Sequence, residues 1–242
     1  MISPPRVVIV QNSPGSGPGR LPDWLAEDGI DAVVVAGADL PRQLAGGAEV
    51  VDGLVLLGGS FMPDDDERAP FLLRERELVD EAMTEGIPVF GICLGAQLLA
   101  HVAGGEVTAN SGETERGSCP IELLPAAGDD PLFAGLTGYD ELRMIQNHVD
   151  SITTLPPGAV HLAMSAACRV QAFRVGAAAW GIQFHPEAGA ARLADWDESK
   201  LAADGYDRAA LVAQAEADAH INTVQARALV SAFADVVRKA RR

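Results

Sequence analysis

Short apolar segments recur along the first hundred residues and alternate with segments of mixed polarity. The apolar runs are rich in valine, isoleucine and leucine and lie at 7–10, 32–35, 54–57 and 87–92. Residues 72–83, between the later runs, have the composition and spacing of a helix. Runs that are apolar on both faces and are separated by helices are typical of a parallel sheet covered on both sides. The pattern therefore predicts an α/β fold with a mostly parallel central sheet flanked by helices.

The pattern changes after residue 103, where shorter strands separated by turns are expected. These strands are predicted at 120–124, 141–145, 160–164, 170–175 and 178–184. Gly176 lies between the last two strands and suits a hairpin turn. This part of the chain predicts a small antiparallel patch beside the parallel strands.

The C-terminal part is polar and irregular from 189 to 205, and helical periodicity returns from Asp207 onward. The apolar positions of this last helix form one stripe, which we expect to pack against the sheet: Ile221, Val224, Ala228, Leu229, Ala232, Phe233, Val236 and Val237. No internal repeat, low-complexity tract or linker interrupts the chain. We predict a single domain over 1–242, with its core at about 6–188 and a C-terminal helical extension at 189–242.

Charge and composition narrow the classes of partner. The 242 residues include 18 Lys and Arg against 34 Asp and Glu, a formal net charge of −16. Such a surface repels phosphate backbones and anionic lipids, so we expect no nucleic acid and no membrane as partner. The three cysteines have neither disulfide-framework nor metal-site spacing, and the first residues lack the pattern of a secretory leader. These features predict a cytoplasmic protein.

One cysteine stands between two glycines at a predicted strand-to-helix turn. Residues 91–95 read Gly-Ile-Cys-Leu-Gly, after an apolar run and before the good helix formers of 96–102. A glycine on each side relieves crowding where a strained turn lifts a side chain into the open. Cys93 would then lie at a helix N-terminus, whose partial positive charge favours the reactive thiolate. The pattern predicts that Cys93 is a nucleophile.

A histidine and a glutamate two residues apart follow in the sequence Phe-His-Pro-Glu at 184–187. Residues two apart on an extended chain point to the same side, so His185 and Glu187 can approach each other. Pro186 fixes the backbone between them. A carboxylate that accepts one ring N–H leaves the other nitrogen free to take a thiol proton. The residues therefore predict a catalytic triad of Cys93, His185 and Glu187.

A glycine-rich segment at 15–20 reads Gly-Ser-Gly-Pro-Gly-Arg and follows the first predicted strand. A dinucleotide-binding loop needs a different glycine spacing and an acidic residue at the end of the second strand. We interpret this segment as a flexible surface loop.

Four segments carry a resemblance to a known family. They are Leu-Gly-Gly-Ser at 57–60, Gly-Ile-Cys-Leu-Gly-Ala-Gln at 91–97, Asn-His-Val-Asp at 147–150 and Gly-Ile-Gln-Phe-His-Pro-Glu at 181–187. In order and spacing they resemble the class I (triad) glutamine amidotransferase family, and the chain is similar to stand-alone GMP synthetase-like glutaminase domains. The resemblance extends from about residue 7 to residue 187 and implies a flavodoxin-like α/β fold.

The resemblance also implies roles for residues outside the triad. The backbone N–H groups of Gly59 and Leu94 would form the oxyanion hole. Gln97, His148 and Val149 would help to bind the substrate. Relatives commonly have glycine where this chain has Val149, and often a Gly-Trp pair near 115–119. Both differences lie near the expected substrate entrance.

The expected function is hydrolysis of the side-chain amide of glutamine through a γ-glutamyl thioester, with release of ammonia. Two alternatives stay open: a γ-glutamyl hydrolase or peptidase with the same triad, and a non-catalytic regulatory subunit. No metal or organic cofactor is implied, because a thiolate, a base and an oxyanion hole suffice for this reaction. The expected partners are glutamine or a γ-glutamyl compound, and a separate synthetase-type acceptor subunit. The remaining histidines and cysteines are interpreted as structural: His101, His161, His220, Cys119 and Cys168.

Overall fold

The computed structural model describes residues 3–44 and 50–241. The predicted single domain also includes residues 1–2, 45–49 and 242, which lie outside the described residues. The strands are β1 Arg6–Gln11, β2 Asp31–Ala36, β3 Gly53–Leu56, β4 Val89–Ile92, β5 Glu106–Thr108, β6 Glu115–Leu123, β7 Leu142–His148, β8 Ser151–Thr154, β9 Val160–Met164, β10 Ala172–Val175 and β11 Ala179–Ile182. The helices are α1 Leu21–Glu27, α2 Phe71–Glu85, α3 Leu94–Val102, α4 Glu198–Ala203, α5 Arg208–Ala217 and α6 Ala219–Ala240. Short 3₁₀ helices lie at Gly37–Asp39, Pro125–Asp129, Ala134–Leu136 and Ala190–Asp195.

A nine-stranded sheet forms the centre of the molecule, in the order β2-β1-β3-β4-β11-β10-β9-β6-β7. The pairs from β2 through β11 are parallel, and the pairs from β11 to β7 are antiparallel. Strands β5 and β8 form a separate two-stranded antiparallel sheet. The predicted α/β fold with a parallel sheet is therefore confirmed, and most of the antiparallel strands continue the same sheet.

Helices cover both faces of the parallel strands because alternate side chains of β3 and β4 point to opposite faces. On one face, Phe90 belongs to one apolar cluster with side chains of α1 and α6, and its ring stacks on that of Phe233 of α6 with centroids 5.2 Å apart. On the other face, Leu54 and Leu56 pack against side chains of α2 and α3. This arrangement leaves the carboxyl ends of β1, β3, β4 and β11 along one edge, which is where ligands bind in open α/β sheets.

The buried face of α6 differs from the predicted stripe. Val224 is 39% exposed, whereas the polar Asn222 and Gln225 are buried. The Asn222 side chain donates to the Arg143 carbonyl (3.0 Å), and Gln225 accepts from the Arg143 N–H (2.8 Å). These bonds attach α6 to strand β7, so the face that packs on the sheet is partly polar and a search for apolar periodicity misplaces it.

The helices of the described residues include none with the length and apolar character needed to cross a membrane.

Candidate active site

Cys93 lies at the turn between β4 and α3 with φ 52° and ψ −106°, a backbone conformation that residues other than glycine rarely adopt. Strained backbone of this kind persists only where the surroundings hold it. Here the Cys93 N–H donates to the Ile182 carbonyl (2.8 Å), and the Cys93 carbonyl accepts from the Gln97 N–H (3.0 Å). The turn therefore fixes Cys93 at the carboxyl edge of the sheet, as the glycine pattern predicts.

Gly95 explains why the turn needs a glycine after the cysteine. A β-carbon at this position would lie 2.2 Å from the Leu56 carbonyl oxygen and 2.6 Å from the Leu56 β-carbon. The first turn of α3 thus contacts the backbone of β3 directly. Only glycine allows this approach, which brings the neighbouring loop after β3 close to Cys93.

His185 and Glu187 lie beyond the end of β11, beside Cys93. The His185 Nδ1 and the Glu187 Oε1 are 2.6 Å apart, the distance of a short charge-assisted hydrogen bond. The His185 N–H donates to the Ile145 carbonyl (2.8 Å), which fixes the backbone of this segment on β7. The contact that the Phe-His-Pro-Glu pattern predicts is present.

The other ring nitrogen of His185 faces the cysteine. Nε2 has no hydrogen-bond partner among the described residues. A β-carbon placed on Gly58 would lie 3.2 Å from the His185 Cε1 and 4.0 Å from the Cys93 Sγ, so the ring and the thiol border the same small space. Burial acts to lower the pKa of His185, but the Glu187 carboxylate and the interaction with Cys93 outweigh it and raise the pKa well above its ordinary value. A proton on this ring is therefore stabilised.

Gly59 and Leu94, the predicted oxyanion donors, are in contact. A β-carbon on Gly59 would lie 2.7 Å from the Leu94 Cδ2 and 3.2 Å from the Asn12 β-carbon. Leu94 is the first residue of α3, and the first N–H groups of a helix have no partner within the helix. The side chain of Leu94, the residue directly after Cys93, thus packs against the backbone of Gly59.

A cavity of about 630 Å³ opens from Cys93 to the surface. The predicted binding residues Gln97, His148 and Val149 all line it. The Gln97 side chain donates to the Asp150 carbonyl (3.1 Å) and to the Gln183 side chain (3.3 Å). Gln97 therefore connects the nucleophile helix to the loop that contains Val149.

A buried polar network lies behind His148. The Glu115 Oε2 accepts from the Gln171 side chain (2.5 Å) and the Ser165 hydroxyl (3.0 Å), and lies 3.4 Å from the His148 Nε2. Donor atoms of Glu115, His148 and Cys168 lie within 4.8 Å of one another, and these residue types can bind metals. Since the Glu115 oxygen already accepts from Gln171 and Ser165, we interpret the network as support for the loop that follows His148.

The structure adds a residue that the sequence does not single out, Gln183. Its side-chain nitrogen lies 3.6 Å from the Cys93 Sγ, and its backbone N–H donates to the Gln171 carbonyl (2.9 Å). Gln183 lies two residues before His185, and the bent segment after β11 contacts the thiol through Gln183 and the Glu187 carboxylate through His185. The position of Gln183 within the motif at 181–187 was the available signal.

The segment at 15–20, interpreted as a flexible surface loop, also contributes to the site. The Arg20 side chain donates to the Pro186 carbonyl (2.8 Å), and its backbone N–H donates to the Glu187 carbonyl (3.2 Å). Arg20 also donates to the Asn222 side chain of α6 (2.8 Å). Arg20, at the end of the segment at 15–20, therefore holds the backbone of Pro186 and Glu187 directly after the predicted base, and the surface-loop interpretation misses this role.

The outer part of the cavity is formed by the polar segment after Gly189. Its cavity-lining side chains are Asp195, Trp196, Asp197, Lys200, Leu201 and Asp204. Asp197 caps α4 by accepting from the N–H groups of Ser199 and Lys200. An ion pair between Asp204 and Arg116 of β6 (3.2 Å) connects this segment to the sheet. The sequence predicts the irregular character of the segment but not its position over the cavity.

Comparison with known proteins shows the family of the chain. The family model described as glutamine amidotransferase class-I matches residues 25–194. The chain is 33% identical over 164 residues to a glutamine-hydrolyzing GMP synthase subunit of Haloquadratum walsbyi, covering 67% of this chain and 79% of that protein. It is 40% identical over 139 residues to the glutamine-hydrolyzing GMP synthase of Parasynechococcus marenigrum, covering 56% of this chain but 24% of that protein.

One solved structure superposes on nearly the whole length of the chain. The glutamine amidotransferase from Thermotoga maritima superposes with a TM-score of 0.82 and 28% identity, covering 96% of this chain and 98% of that one. The likeness extends into the C-terminal extension, which the family model matches only as far as residue 194.

Proposed function

Because the chain belongs to the class I glutamine amidotransferase family, we propose that it hydrolyses the side-chain amide of glutamine through Cys93, His185 and Glu187 and releases ammonia for an acceptor on a separate chain. The observation that carries the proposal is the 2.6 Å contact of His185 with Glu187 beside the strained turn of Cys93. A nucleophile, a base and a carboxylate that orients the base are thereby brought together.

The first half of the reaction forms a thioester. The Cys93 thiol gives its proton to the His185 Nε2, and the sulfur attacks the amide carbon of glutamine. Negative charge develops on the amide oxygen, and we assign its stabilisation to the N–H groups of Gly59 and Leu94. When this intermediate collapses, the C–N bond breaks, His185 returns the proton to the nitrogen, and ammonia leaves.

The second half regenerates the enzyme. His185 takes a proton from water, and the oxygen attacks the thioester carbon. The C–S bond then breaks, the proton passes from His185 to the Cys93 sulfur, and glutamate leaves. Glu187 keeps the His185 ring in one orientation through both halves and stabilises its charged form.

Substrate binding is assigned to the cavity beside Cys93. Gln97, held by Asp150 and Gln183, and the loop at His148 and Val149 border the position of the glutamine. The His148 ring is buried with its Nε2 3.4 Å from the Glu115 carboxylate, and Val149 narrows the backbone freedom of this loop. We assign recognition of the amino-acid part of the substrate to this loop and the amide to the space between Gly59 and Cys93.

The ammonia acceptor is assigned to another chain. The relative from Haloquadratum walsbyi is named as one subunit of a synthase, and the chain matches only 24% of the Parasynechococcus marenigrum synthase. The sequence also contains no phosphate-binding loop of the form Gly-x-x-x-x-Gly-Lys-Ser/Thr. We expect slow glutamine hydrolysis by the isolated chain and faster hydrolysis when a synthetase-type partner is added.

The test measures ammonia release from glutamine by the wild type and by Cys93→Ala, with and without a candidate synthetase partner. Mass spectrometry of the protein during turnover is expected to detect a γ-glutamyl adduct on Cys93 alone. γ-Glutamyl amines are tested as substrates in the same assay, because the γ-glutamyl hydrolase alternative predicts that the protein cleaves them. Fast cleavage of these amines without a partner, with glutamine inert, would establish the γ-glutamyl hydrolase alternative, and no adduct with any substrate would establish a non-catalytic role.

Cysteine reactivity gives a second readout that needs no substrate. Burial, with the nearby Glu115, raises the pKa of Cys119 to about 12, and burial likewise raises that of Cys168. Iodoacetamide is therefore expected to label Cys93 before either of them, since the thiolate is the reactive form. Peptide mapping that finds Cys119 or Cys168 labelled first would reject Cys93 as the nucleophile.

A further inference from the structure

A buried carboxyl group has no role in the reaction described above. It lies next to the loop of Gly58 and Gly59 after β3, called here the oxyanion loop. Glu75 lies on α2, and its side chain is fully buried. Its Oε1 accepts one hydrogen bond, from the Asn12 side chain (3.2 Å), and its Oε2 has no partner among the described residues. The charged neighbour Arg76 pairs instead with Asp66 (2.7 Å) and with the Pro63 carbonyl (2.6 Å). Glu75 is thus a carboxyl group without a salt-bridge partner among the described residues.

Asn12 connects Glu75 to the loop that supplies the predicted oxyanion donor. The same side-chain nitrogen of Asn12 donates to the Leu57 carbonyl (2.9 Å), directly before Gly58 and Gly59. The Asn12 β-carbon lies 3.2 Å from the position that a β-carbon on Gly59 would occupy. Asn12 therefore supports this loop from one side, while Leu94 contacts it from the other.

The surroundings of Glu75 favour its neutral form. Burial raises its pKa to about 8, and the opposing effects of the Asn12 hydrogen bond and the Arg76 charge are smaller. Asn12 Oδ1 is a buried acceptor that also has no partner among the described residues. A proton on Glu75 therefore avoids a buried charge and supplies a hydrogen-bond donor beside an acceptor that has none.

Ionisation would change the support of the loop. A buried carboxylate attracts N–H donors and water far more strongly than a neutral carboxyl group does. The nearest donor is the Asn12 amide, which also holds the Leu57 carbonyl. A negative Glu75 would draw this amide and solvent toward itself, and the position of Gly59 relative to Cys93 would become less well defined.

We propose that Glu75 is a positioning residue which, in its neutral form, holds the Gly58–Gly59 loop through Asn12 in the geometry that stabilises the transition state. The inference rests on the proposed function, since the proposed function assigns one donor of the oxyanion hole to this loop. It extends the site to a second layer, with Asn12 between Glu75 and the loop. An oxyanion donor acts only on the transition state, so a residue that positions this donor is expected to affect kcat and not KM.

The test compares Glu75→Gln, Glu75→Ala and the control Glu77→Gln, which alters an exposed residue of α2 paired with Arg74. Glutamine has the shape of the neutral carboxyl group and cannot ionise. We expect Glu75→Ala to lower kcat about tenfold with KM within about twofold, less than removal of an oxyanion donor. Glu75→Gln is expected to recover most of that loss at neutral pH, and Glu77→Gln to match the wild type.

The pH dependence separates positioning from a merely structural role. Wild-type kcat is expected to fall as Glu75 ionises above about pH 8, and this part of the decline is expected to disappear in Glu75→Gln. Identical alkaline limbs in the two proteins would overturn the proposal, as would a Glu75→Ala variant that is folded and has wild-type kcat.

A stability measurement keeps the inference distinct from the proposed function. If the wild type cleaves neither glutamine nor γ-glutamyl-p-nitroanilide at any pH, the proposed function fails. The melting temperatures of the wild type and Glu75→Gln from about pH 5 to 9 still decide whether Glu75 is neutral. In the unfolded chain Glu75 ionises near its ordinary pKa, whereas in the folded protein it stays neutral up to about pH 8. The wild type therefore loses stability as the pH rises toward about 8, and Glu75→Gln, which cannot ionise, is expected to become progressively more stable relative to it. A constant difference across this range would overturn the inference.

Discussion

Two parts of the active-site cavity contrast in how they are held. The catalytic floor comprises residues 58–59, 91–97 and 183–187, and most of its residues are buried. The outer wall comprises residues 195–204 together with Arg116, and most of its residues are exposed. Backbone contacts such as that of Gly95 with the Leu56 carbonyl fix the floor. The six-residue helix α4 and the Arg116–Asp204 ion pair hold the wall.

The contrast indicates a division of labour. Close-packed backbone keeps reacting groups within tenths of an ångström, which catalysis requires. Exposed charged side chains tolerate rearrangement and contribute little to stability. We therefore expect changes in the floor to alter kcat strongly and changes in the wall to alter KM weakly.

The largest expected effect in the floor is that of the base. His185→Asn is expected to lower kcat by about 10⁴, because deprotonation of the thiol and protonation of the leaving nitrogen both depend on this ring. Glu187→Gln is expected to lower kcat by about 10², because the base remains but its orientation and charge are less well supported. Steady-state ammonia release over about pH 5 to 10 measures both.

The pH profile of Glu187→Gln gives the sign of the electrostatic effect. The Glu187 carboxylate helps to raise the pKa of His185, so its removal is expected to lower that pKa. The imidazolium form is then lost at lower pH, and the alkaline limb of the rate moves to lower pH. Equal losses in the two variants would contradict a purely orienting role of Glu187, and a limb that moves to higher pH would contradict the assigned electrostatics.

A smaller effect is expected from crowding the oxyanion loop. In Gly59→Ala the new methyl group would lie 2.7 Å from the Leu94 Cδ2 and 3.2 Å from the Asn12 β-carbon. The Leu94 side chain can move aside, but the β-carbon of Asn12 moves only with its backbone. We expect kcat to fall about tenfold with little change in KM.

Gly128→Ala provides the matched control for this crowding, because its methyl group would meet no atom within 4 Å. It is expected to retain wild-type kcat and melting temperature. If Gly59→Ala also retained wild-type kcat, the floor would be less tightly constrained than the contacts of Gly59 indicate.

The same contrast explains which features could be predicted from sequence. The turn at Cys93 could be predicted because glycines at 91 and 95 mark it in the sequence, although the glycine at 91 is required by the turn itself and the glycine at 95 by the approach to Leu56 of β3. The contact of His185 with Glu187 was predicted from a spacing of two on an extended chain, but the structure forms it within a turn in which the Ala188 N–H donates to the His185 carbonyl (3.2 Å). The parallel strands follow from their apolar runs.

Features held by distant polar contacts left no such signature. Arg20 contacts Pro186 across 166 positions, and Asn12 contacts Glu75 across 63. Neither side chain belongs to a periodic pattern, and the glycine-rich segment before Arg20 suggests only a loop. For the same reason the buried polar face of α6 at Asn222 was not predicted. Such contacts depend on the assembled sheet, so sequence spacing alone does not indicate them.

The smallest expected effect concerns the outer wall. Arg116→Gln removes the ion pair with Asp204, whose side chains are 13% and 41% exposed. Because the Asp204 end of the pair is exposed, we expect the pair to contribute about 1 kcal/mol or less, so the wall is expected to open more often without unfolding the protein. We expect KM for glutamine to rise about threefold and kcat to stay within about twofold.

Glu198→Gln is the control for this prediction, because it breaks the exposed pair of Glu198 with Arg208 on the same segment, away from the cavity lining. Its KM is expected to equal that of the wild type. The exchange of Arg116→Asp with Asp204→Arg retains an ion pair in reversed order and is expected to recover part of the KM loss. A change in kcat from Arg116→Gln larger than that from Gly59→Ala would place the wall among the elements that position the reacting groups, and the division between floor and wall would then be wrong.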